Sequence, residues 1–559
     1  MNTETAPYRF TGPSRFAHQR EGLRRLVQQR GVGALLMDPG LGKTATVVDY
    51  LGLLAHKSGD EVRVLVVAPL AAVDTWVTQL DTFLGPSVNY WAEVLGGSIL
   101  QRAEALASRG GNPFKRSQSG KVPRRAPHSR GLWVDKAQML RTRGADVENP
   151  QTPAQLPRGP RLVLEVVNID TLSRRTQHRS RTVADLLLEA VERYDPHVVV
   201  CDELHMIKSP SSNTSRLMGR IAKVAPRRIG LTGTVMPTSP LDVFGQWRFI
   251  DPYAFGVRGK AASYTNFLHR FAQMGGFMGR EVVGFRNLDE LQDIMGKLAM
   301  VARKEDALDL PPTTDVVIPV NLSPAEVKAY AEMKKGLATT LATGDTATAT
   351  TMLVQGLRLR QITAGHLKAD DGVVTTVGTS KADTIRSLVH DTLGEEKRLV
   401  IFALYRAEME QLATSLARKG TEVMVIDGST PNHERIEMRK RFGSDDPARI
   451  VMVAQVRTMS LAVNELVTAS HAIFATLSQQ RDHYVQARDR LNRIGQERPV
   501  TFWHAVAPGT VDEVVLTAHR DRTSLEEAVL RHVRGDEDPG PSAQQVLTDL
   551  AVQRITGKA

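Results

Sequence analysis

The hydrophobic positions of the chain form a first series of short apolar runs separated by segments with helical spacing. The runs are residues 33–37, 61–68, 162–167 and 197–201. Helical patterns such as residues 45–55 lie between them, and β-branched residues dominate the runs themselves. Runs that are apolar throughout and alternate with helices are typical of a parallel sheet covered on both faces. The pattern therefore predicts an α/β lobe.

A second series of the same kind begins near Ser380. It consists of the runs R-L-V-I-F-A, E-V-M-V-I-D, R-I-V-M-V-A, H-A-I-F-A-T and V-T-F-W-H-A-V. The residues between the two series have mainly helical spacing, and so does the end of the chain. The fold class predicted is α/β, with two parallel-sheet lobes, a helical connector and a helical C-terminal tail. The expected domains are an N-terminal lobe (1–251), a connector (252–378), a second lobe (379–515) and a tail (516–559).

Composition narrows the class of protein. The chain has 559 residues, of which 42% are apolar and 24% charged, as in globular proteins of several domains. This balance excludes a wholly disordered chain and a small disulfide-stapled scaffold. No apolar run approaches the 18 or so residues that span a membrane, and the N-terminus lacks the features of a secretory signal. A single cysteine, Cys201, is interpreted as a core residue, and a cytoplasmic protein is expected.

The positive charge is concentrated in one stretch. The chain carries a net charge of +11, and residues 101–160 alone contain 12 Lys/Arg and 4 Asp/Glu. Gly, Pro and Ser are frequent there, so we interpret residues of about 84–160 as a flexible basic insertion in the N-terminal lobe. Two interpretations stay open at this point. The stretch attracts a polyanion, or it is a solvated loop in a protein in which Arg outnumbers Lys by 53 to 19.

A phosphate-binding loop follows the first apolar run, where the sequence reads D-P-G-L-G-K-T at 38–44. Two glycines allow the backbone to curl so that successive N–H groups point at a phosphate. Lys43 supplies a positive charge for the β and γ phosphates, and the Thr44 hydroxyl is a ligand for Mg²⁺. The residues predicted to bind the nucleotide here are Pro39, Gly40, Leu41, Gly42, Lys43 and Thr44.

An acidic pair ends the fourth apolar run, where V-V-V-C leads into D-E-L-H at 202–205. Asp202, at the carboxyl end of a strand, is predicted to hold hydrated Mg²⁺, and Glu203 to orient and deprotonate the attacking water. Alone, these four residues could be an ordinary surface turn, but the phosphate loop upstream favours a catalytic site. His205 is interpreted as a hydrogen-bonding link and not as a zinc ligand.

These motifs, with others in the same order, resemble the Swi/Snf-type helicase-like ATPases of helicase superfamily two. The matching segments are H-Q-R-E-G at 18–22 (Q motif), V-V-A-P-L…W at 66–76 (motif Ia), D-E-L-H-M-I-K at 202–208 (motif II), L-T-G-T at 231–234 (motif III), L-D-L-P-P-T-T at 308–314, D-G-S-T at 427–430 and Q-A-R-D-R-L-N-R-I-G-Q at 486–496 (motif VI).

The resemblance implies two RecA-like lobes with ATP in the cleft between them. It also implies that Gln19 recognises the adenine and that Gln486 contributes to nucleotide binding. Arg490 and Arg493 lie three residues apart, so on one helix they would share a face. They are the candidates for an arginine finger that stabilises the charge on the transferred phosphoryl group. An arginine finger on a different lobe would couple ATP hydrolysis to lobe closure.

The function implied is that of an ATP- and Mg²⁺-dependent DNA translocase that moves along double-stranded DNA. Contacts to the strand are expected mainly at phosphates, from motif Ia, residues 168–171, Tyr405 with Arg406, and motif V. Trp76 and Tyr405 could equally be packing residues. Motif V departs from the family pattern, because Met459, Ser460 and Ala462 replace its usual residues although Asn464 is retained.

Other functions stay open from the sequence alone. The chain could be a strand-separating helicase, or the motor subunit of a restriction or transcription-recycling complex. It could also be a nucleic-acid-binding scaffold with a decayed ATPase, which only the altered motif V supports. No further module is recognised, and with the excess of Arg this suggests a bacterial or phage setting. The biological process is not specified by the sequence.

Overall fold

The structure, a computed structural model, consists of two compact units. It describes residues 7–70, 72–109, 159–173, 177–178, 181–256, 259–275, 279, 281–342, 349–369, 371–458 and 465–521. The described residues divide into a first unit, 7–307, and a second unit, 308–521. Each unit contains one large parallel sheet with helices, which confirms the predicted fold class of two parallel-sheet lobes.

The first unit contains the elements up to Ala307. Its strands are β1 (Val32–Met37), β2 (Glu61–Ala68), β3 (Asn89–Val94), β4 (Arg161–Asn168), β5 (Gln177–His178), β6 (Arg181–Thr182), β7 (Val198–Asp202), β8 (Arg228–Thr232), β9 (Ala272–Gly275), β10 (Glu281–Phe285) and β11 (Ala299–Ala302). Its helices are α1 (Ala17–Gln28), α2 (Lys43–Ser58), α3 (Val73–Phe83), α4 (Ile99–Ser108), α5 (Val183–Tyr194), α6 (Asn213–Ile221), α7 (Val243–Ile250), α8 (Tyr264–Phe271), α9 (Leu288–Gly296) and α10 (Lys304–Ala307).

The large sheet of the first unit has the strand order β11-β1-β8-β7-β2-β4-β3, and every pair in it is parallel. Strand β7 is buried along its whole length, as both faces of such a sheet must be. Because the strands are parallel, their carboxyl ends lie at one edge. The phosphate loop after β1, the acidic pair at the end of β7 and the L-T-G-T segment around the end of β8 therefore meet there.

The folded core of the first unit extends further into the basic stretch than the sequence analysis placed it. The insertion was predicted to begin near residue 84, but β3 and α4 occupy residues 89–108. Strand β3 pairs in parallel with β4, and α4 packs against α5. The strongly basic residues 110–158 lie outside the described residues, as does the predicted tail beyond residue 521.

The second unit contains the remaining described elements. Its strands are β12 (Thr313–Pro319), β13 (His366–Lys368), β14 (Val374–Thr376), β15 (Arg398–Ala403), β16 (Thr421–Ile426), β17 (Arg449–Gln455), β18 (His471–Phe474) and β19 (Val500–Val506). Its helices are α11 (Pro324–Ala342), α12 (Ala349–Thr363), α13 (Ser380–Ser387), α14 (Arg406–Leu416), α15 (Asn432–Phe442) and α16 (Arg481–Arg488).

The large sheet of the second unit has the order β12-β19-β18-β15-β17-β16, again parallel throughout. Its five strands from β15 to β19 correspond to the five predicted runs. Each face of the sheet carries its own apolar cluster, one containing Phe402, Phe442 and Phe474, the other Leu399, Ile401 and Leu412.

The predicted connector contributes a strand to each large sheet, which the sequence analysis did not anticipate. Strand β11 pairs with β1, and β12 pairs with β19, each at an edge. Strand β12 lacks a continuous apolar run because most of its residues are exposed. Elsewhere the connector is mainly helical, from α8 to α12.

Cys201 is buried in the core of the first unit, as predicted, and burial raises the pKa of its thiol. Among the described residues, no helix combines the length and the apolar character that crossing a bilayer requires.

Candidate active site

The phosphate loop has the backbone conformation that its glycines predict. Gly40 and Gly42 have φ angles of 90° and 81°, which L side chains rarely adopt. A Cβ on Gly42 would also lie 2.1 Å from Nε2 of Gln19. Gly42 directly precedes α2, so Lys43 and Thr44 form the first turn of that helix. The N–H groups of a helix N-terminus are a favourable site for a phosphate.

Lys43 is held against the loop itself. Its Nζ donates to the carbonyl oxygen of Met37 at 2.8 Å, with the carbonyl oxygen of Asp38 at 3.4 Å. Asp38 is fixed in turn, because its carboxylate accepts from Arg303 Nη1 at 3.0 Å and from the backbone N–H of Lys304 at 2.9 Å. The lysine that is predicted to bind phosphate is thus placed by the loop before any anion binds.

Asp202 is the last residue of β7 and is almost completely buried. Its Oδ1 accepts the backbone N–H of Glu203 at 3.0 Å, and its Oδ2 accepts the indole N–H of Trp76 at 3.0 Å. Burial, together with the charge of Glu203, raises the pKa of Asp202 to about 6. The hydrogen bond from Trp76 and the charge of Lys43 act in the opposite direction.

The donor set suits a magnesium ion. Mg²⁺ prefers hard oxygen ligands and is usually held by one or two carboxylates together with phosphate oxygens and water. The buried Asp202 carboxylate, destabilised by Glu203 beside it, is a group whose charge a cation would compensate. Thr44 offers a hydroxyl at the start of α2, next to the phosphate loop.

Glu203 adopts a conformation that is unusual for its residue type. Its φ angle of 50° lies in the left-handed region, which costs a non-glycine residue roughly 1–2 kcal/mol. Its Oε2 lies 3.3 Å from Nδ1 of His205. Backbone strain of this kind is frequent where a side chain must be aimed at a reacting group.

His205 links the acidic pair to the end of β8, which confirms its interpretation as a hydrogen-bonding link. Its Nδ1 lies 3.0 Å from the hydroxyl of Thr232. That hydroxyl donates its proton to the carbonyl of Thr234 at 2.9 Å. Because a hydroxyl has one proton, Thr232 must accept from His205, so Nδ1 carries the hydrogen. Motif II is therefore connected to motif III through this imidazole.

Gln19 braces the phosphate loop. It lies in α1, and its Nε2 donates to the carbonyl of Leu41 at 3.1 Å while its Oε1 accepts from the N–H of Phe16 at 3.0 Å. His18 Nε2 lies 2.9 Å from the same carbonyl of Leu41. Recognition of adenine by Gln19 stays a prediction.

A cavity of about 410 Å³ adjoins the Q motif. It is lined by Ala17, His18, Val301, Ala302, Arg303, Asp306 and Ala307. Its volume falls within the range of small-molecule sites, and one wall is formed by the residues that follow β11. The sequence does not predict this cavity, because it does not predict β11.

The candidate arginines belong to the second unit, whereas Lys43, Asp202 and Glu203 belong to the first. Helix α16 ends at Arg488, so Arg490 and Arg493 lie in the turns that follow it. The premise that both share one helix is wrong. Burial lowers the pKa of the Arg493 guanidinium, which nevertheless remains charged at neutral pH. Gln486 lies within α16 and is half-buried.

The end of α16 is fixed to strand β12. The Arg488 guanidinium binds both carboxylate oxygens of Asp315, with Nη2 at 3.0 Å from Oδ2. Its Nη1 also donates to the hydroxyl of Tyr484 at 2.9 Å, and the group lies 4.1 Å from the ring centre of Phe502. These contacts hold the residue that immediately precedes the arginine-bearing turns.

The predicted strand contacts fall into different environments. Trp76 is completely buried, so the packing interpretation holds and direct contact with DNA is excluded. Tyr405 is half-buried and makes an edge contact with His366. Arg406 is exposed and pairs with Asp427 at 2.9 Å. The altered residues of motif V, with Asn464, lie outside the described residues.

Comparison with known proteins identifies two conserved domains. Residues 18–108 and 162–366 match the SNF2-related domain, and residues 380–495 match the helicase conserved C-terminal domain. The first match covers more than half of the chain. It is interrupted at residues 109–161, where the basic stretch lies.

Similar proteins include eukaryotic enzymes and one archaeal structure. The chain is 27% identical over 346 residues to the mouse "DNA annealing helicase and endonuclease ZRANB3", covering 60% of this chain and 30% of the relative. It is 27% identical over 337 residues to the Caenorhabditis elegans homologue of "SWI/SNF-related matrix-associated actin-dependent regulator of chromatin subfamily A-like protein 1", covering 58% of this chain and 44% of the relative. These matches span less than half of each relative.

The chain is also similar to a solved structure, "Sulfolobus solfataricus SWI2/SNF2 ATPase core in complex with dsDNA", with 19% sequence identity and a TM-score of 0.37. The match covers 95% of this chain and 99% of that structure's chain. The family assignment rests on the domain matches and on the motifs at the edge of the first sheet. The chain belongs to the SNF2 family of helicase-like ATPases.

Proposed function

We propose that this protein is a DNA-dependent ATPase that hydrolyses ATP to ADP and phosphate and uses the cycle to move along double-stranded DNA. The observation that carries the proposal is the convergence of Lys43, Asp202 and Glu203 at the carboxyl edge of one parallel sheet. Lys43 has a suitable position for phosphate, and a buried carboxylate lies close enough to feel its charge. Glu203 stands beside that carboxylate.

In this proposal, each site residue of the first unit has its own role in ATP hydrolysis. The loop N–H groups and Lys43 bind the β and γ phosphates. When bound, Mg²⁺ supplies positive charge against these phosphates, and Thr44 and Asp202 would hold it. Glu203 positions the attacking water and accepts its proton, while His205 restrains the Glu203 carboxylate.

The guanidinium groups of Arg490 and Arg493 complete the site in this proposal. Charge that develops on the transferred phosphoryl group requires a further cation, and an arginine finger accelerates such reactions by roughly 10³–10⁵. Both arginines belong to a different compact unit from Lys43. Hydrolysis then depends on the two units coming together, and this dependence converts chemistry into movement.

DNA as the track is supported by three observations. The names of the relatives refer to DNA and to chromatin. Arg406 is exposed on the second unit, where the family resemblance places a strand contact. The basic stretch offers the charge that phosphate contacts require.

Phosphate release measured with duplex, single-stranded and forked DNA and with RNA tests the proposal. We expect duplex DNA to stimulate hydrolysis most strongly. We also expect Lys43→Ala and Glu203→Gln each to lower the stimulated rate by at least about 10². DNA-independent hydrolysis that survives both substitutions would contradict the proposal.

A strand-separating helicase is the alternative, and the word helicase in the relatives' names favours it. Triplex displacement and strand displacement distinguish the two functions. Removal of a third strand without separation of the duplex supports translocation, whereas separation of a forked duplex supports the helicase.

A further inference from the structure

Trp76 makes a contact that its packing role does not explain. It lies in α3 and is completely buried. Its indole N–H donates to Oδ2 of Asp202, a residue 126 positions away in the sequence. A phenylalanine would fill a buried apolar position without this donor. The hydrogen bond therefore points to a role at Asp202 itself.

We propose that Trp76 is a positioning residue that fixes the Asp202 carboxylate in the orientation needed to hold Mg²⁺. This inference rests on the proposed function, because it assigns Asp202 to the metal. Groups that hydrogen-bond to a metal ligand orient it, and their removal typically costs 10–100-fold in metal affinity or activity.

The two oxygens of Asp202 are held from different sides. Oδ1 accepts the backbone N–H of Glu203, and Oδ2 accepts the indole N–H of Trp76, both at 3.0 Å. Two donors on two oxygens fix the plane of the carboxylate. Since each carboxylate oxygen has two lone pairs, each keeps one for the metal or its water. Loss of the indole donor leaves the plane restrained at one oxygen only.

Other buried indoles of the same unit show that this bond is not a general requirement of the fold. Trp91 and Trp247 are also completely buried. Their Nε1 atoms find no hydrogen-bond partner among the described residues. The unit thus accommodates a buried indole without a partner, whereas the indole of Trp76 is aimed at a catalytic carboxylate.

Magnesium-dependent nucleotide binding by the full-length chain tests the inference. Trp76→Phe keeps an aromatic ring and removes the N–H, and Trp247→Phe is the matched control with the same loss of volume. The probe is a fluorescent ADP analogue, titrated at increasing Mg²⁺ and in EDTA. Trp76→Phe should raise the Mg²⁺ concentration for half-maximal binding about 10-fold or more. Binding in EDTA should stay within about twofold, and Trp247→Phe should change neither quantity.

Equal shifts in Trp76→Phe and Trp247→Phe would overturn the inference, and so would an equal loss of binding in EDTA and in Mg²⁺. Thermal unfolding without nucleotide or metal verifies that each variant folds. If Trp76→Phe does not fold, β-(3-benzothienyl)alanine is incorporated in place of Trp76. It keeps the bicyclic shape and replaces the N–H by sulfur. An unchanged Mg²⁺ dependence in that protein would equally refute the role.

Asp202→Asn separates the inference from the proposed function. If this variant keeps the Mg²⁺ dependence of the wild type, the metal site is wrong and the inference fails with it. If Asp202→Asn abolishes the dependence and the change at Trp76 does not alter it, only the inference is overturned.

Discussion

Asp202 and Glu165 are buried carboxyl groups of the first unit whose pKa values are raised by burial, but their surroundings differ. Asp202 lies at the carboxyl edge of the sheet beside Glu203 and Lys43. Glu165, on β4, is completely buried and accepts a hydrogen bond from Arg109 Nη1 at 2.8 Å, with Glu93 alongside it on β3. Burial raises the pKa of Glu165 to about 8; the charge of Arg109 opposes this effect and that of Glu93 adds to it.

Glu165 predicts a dependence of stability on pH. Its pKa in the folded state lies above its ordinary value of about 4.5. The stabilisation it contributes is therefore full below pH 4.5 and is lost as the pH rises through about 8. We expect the first unit to melt at a lower temperature at pH 9 than at pH 6, and Glu165→Gln to reduce that difference by several degrees.

Thermal unfolding between pH 6 and 9 measures this effect. Glu189→Gln is the control, because Glu189 is a partly exposed residue on α5 that pairs with Arg193. Glu165→Gln and Glu189→Gln should differ in the slope of melting temperature against pH. Identical slopes in both variants and the wild type would refute the assignment.

At the residue scale, the sequence could identify groups whose chemistry requires a local pattern. Lys43 and Thr44 follow paired glycines, and Asp202 and Glu203 follow a buried strand, so spacing alone pointed to them. Trp76 could not be assigned in this way, because its partner is set by the packing of α3 against the sheet. A hydrogen bond between residues 126 positions apart leaves no local signal.

At the scale of elements, arginines at the starts of strands bind the ends of neighbouring helices. In the first unit, Arg63 lies near the start of β2 and donates to the carbonyl of Tyr194, at the end of α5, at 2.9 Å. In the second unit, Arg398 donates to the carbonyl of Phe442 at 2.7 Å and to that of Ser444 at 2.9 Å, at the end of α15. The last carbonyls of a helix lack partners within it, and a cation there is favourable.

Replacement of Arg398 should destabilise the second unit. The residue is almost completely buried, and its loss removes the donor to the carbonyls of Phe442 and Ser444. We expect Arg398→Met to lower the melting temperature by roughly 5–10 °C, corresponding to about 2–4 kcal/mol. Arg441→Met, at a partly exposed arginine of α15 that pairs with Asp446 and Glu422, should leave the melting temperature almost unchanged. Differential scanning calorimetry of both variants decides, and equal melting temperatures would contradict this capping role.

The elements that the sequence did not predict have physical reasons. Strands β11 and β12 both lie at sheet edges. Strand β12 is largely exposed and so lacks the continuous apolar run by which central strands are recognised, whereas β11 is buried but has only four residues. Helix α16 ends at Arg488, where the pair with Asp315 and the following turns replace the expected helical continuation. The sequence motif was sufficient to identify the arginines of motif VI, but it did not predict that they lie in turns beyond the end of a helix.

At the scale of the whole molecule, the basic stretch remains a prediction. Residues 111–157 contain nine Lys/Arg and three Asp/Glu and lie outside the described residues. The structure shows that α4 and Arg109 belong to the folded core, so a deletion that tests this stretch must spare them.

Replacing residues 111–157 by a short Gly/Ser linker should weaken DNA binding and flatten its dependence on salt. Each phosphate contact that is lost should reduce the slope of log K against log salt by about one unit. Fluorescence anisotropy with duplex DNA between about 50 and 200 mM salt measures the slope. A slope equal to that of the wild type would favour the solvated-loop interpretation.

In the proposed mechanism, the catalytic groups are divided between the two units. The order of motifs along the chain was sufficient to predict the family and the two lobes. The proposed dependence of hydrolysis on both units concerns the transition state, so kinetic measurements on altered proteins test it.

The most direct measurement is DNA-stimulated ATP hydrolysis by Arg493→Ala, together with its binding of a fluorescent ADP analogue. Arg498→Ala, an exposed arginine that follows the same segment and pairs with Glu396, is the control. We expect Arg493→Ala to lose at least about 10³ in kcat and to bind the nucleotide with unchanged affinity, while Arg498→Ala hydrolyses ATP normally. Hydrolysis at the wild-type rate by both Arg493→Ala and Arg490→Ala would contradict the proposal that these residues supply the arginine finger.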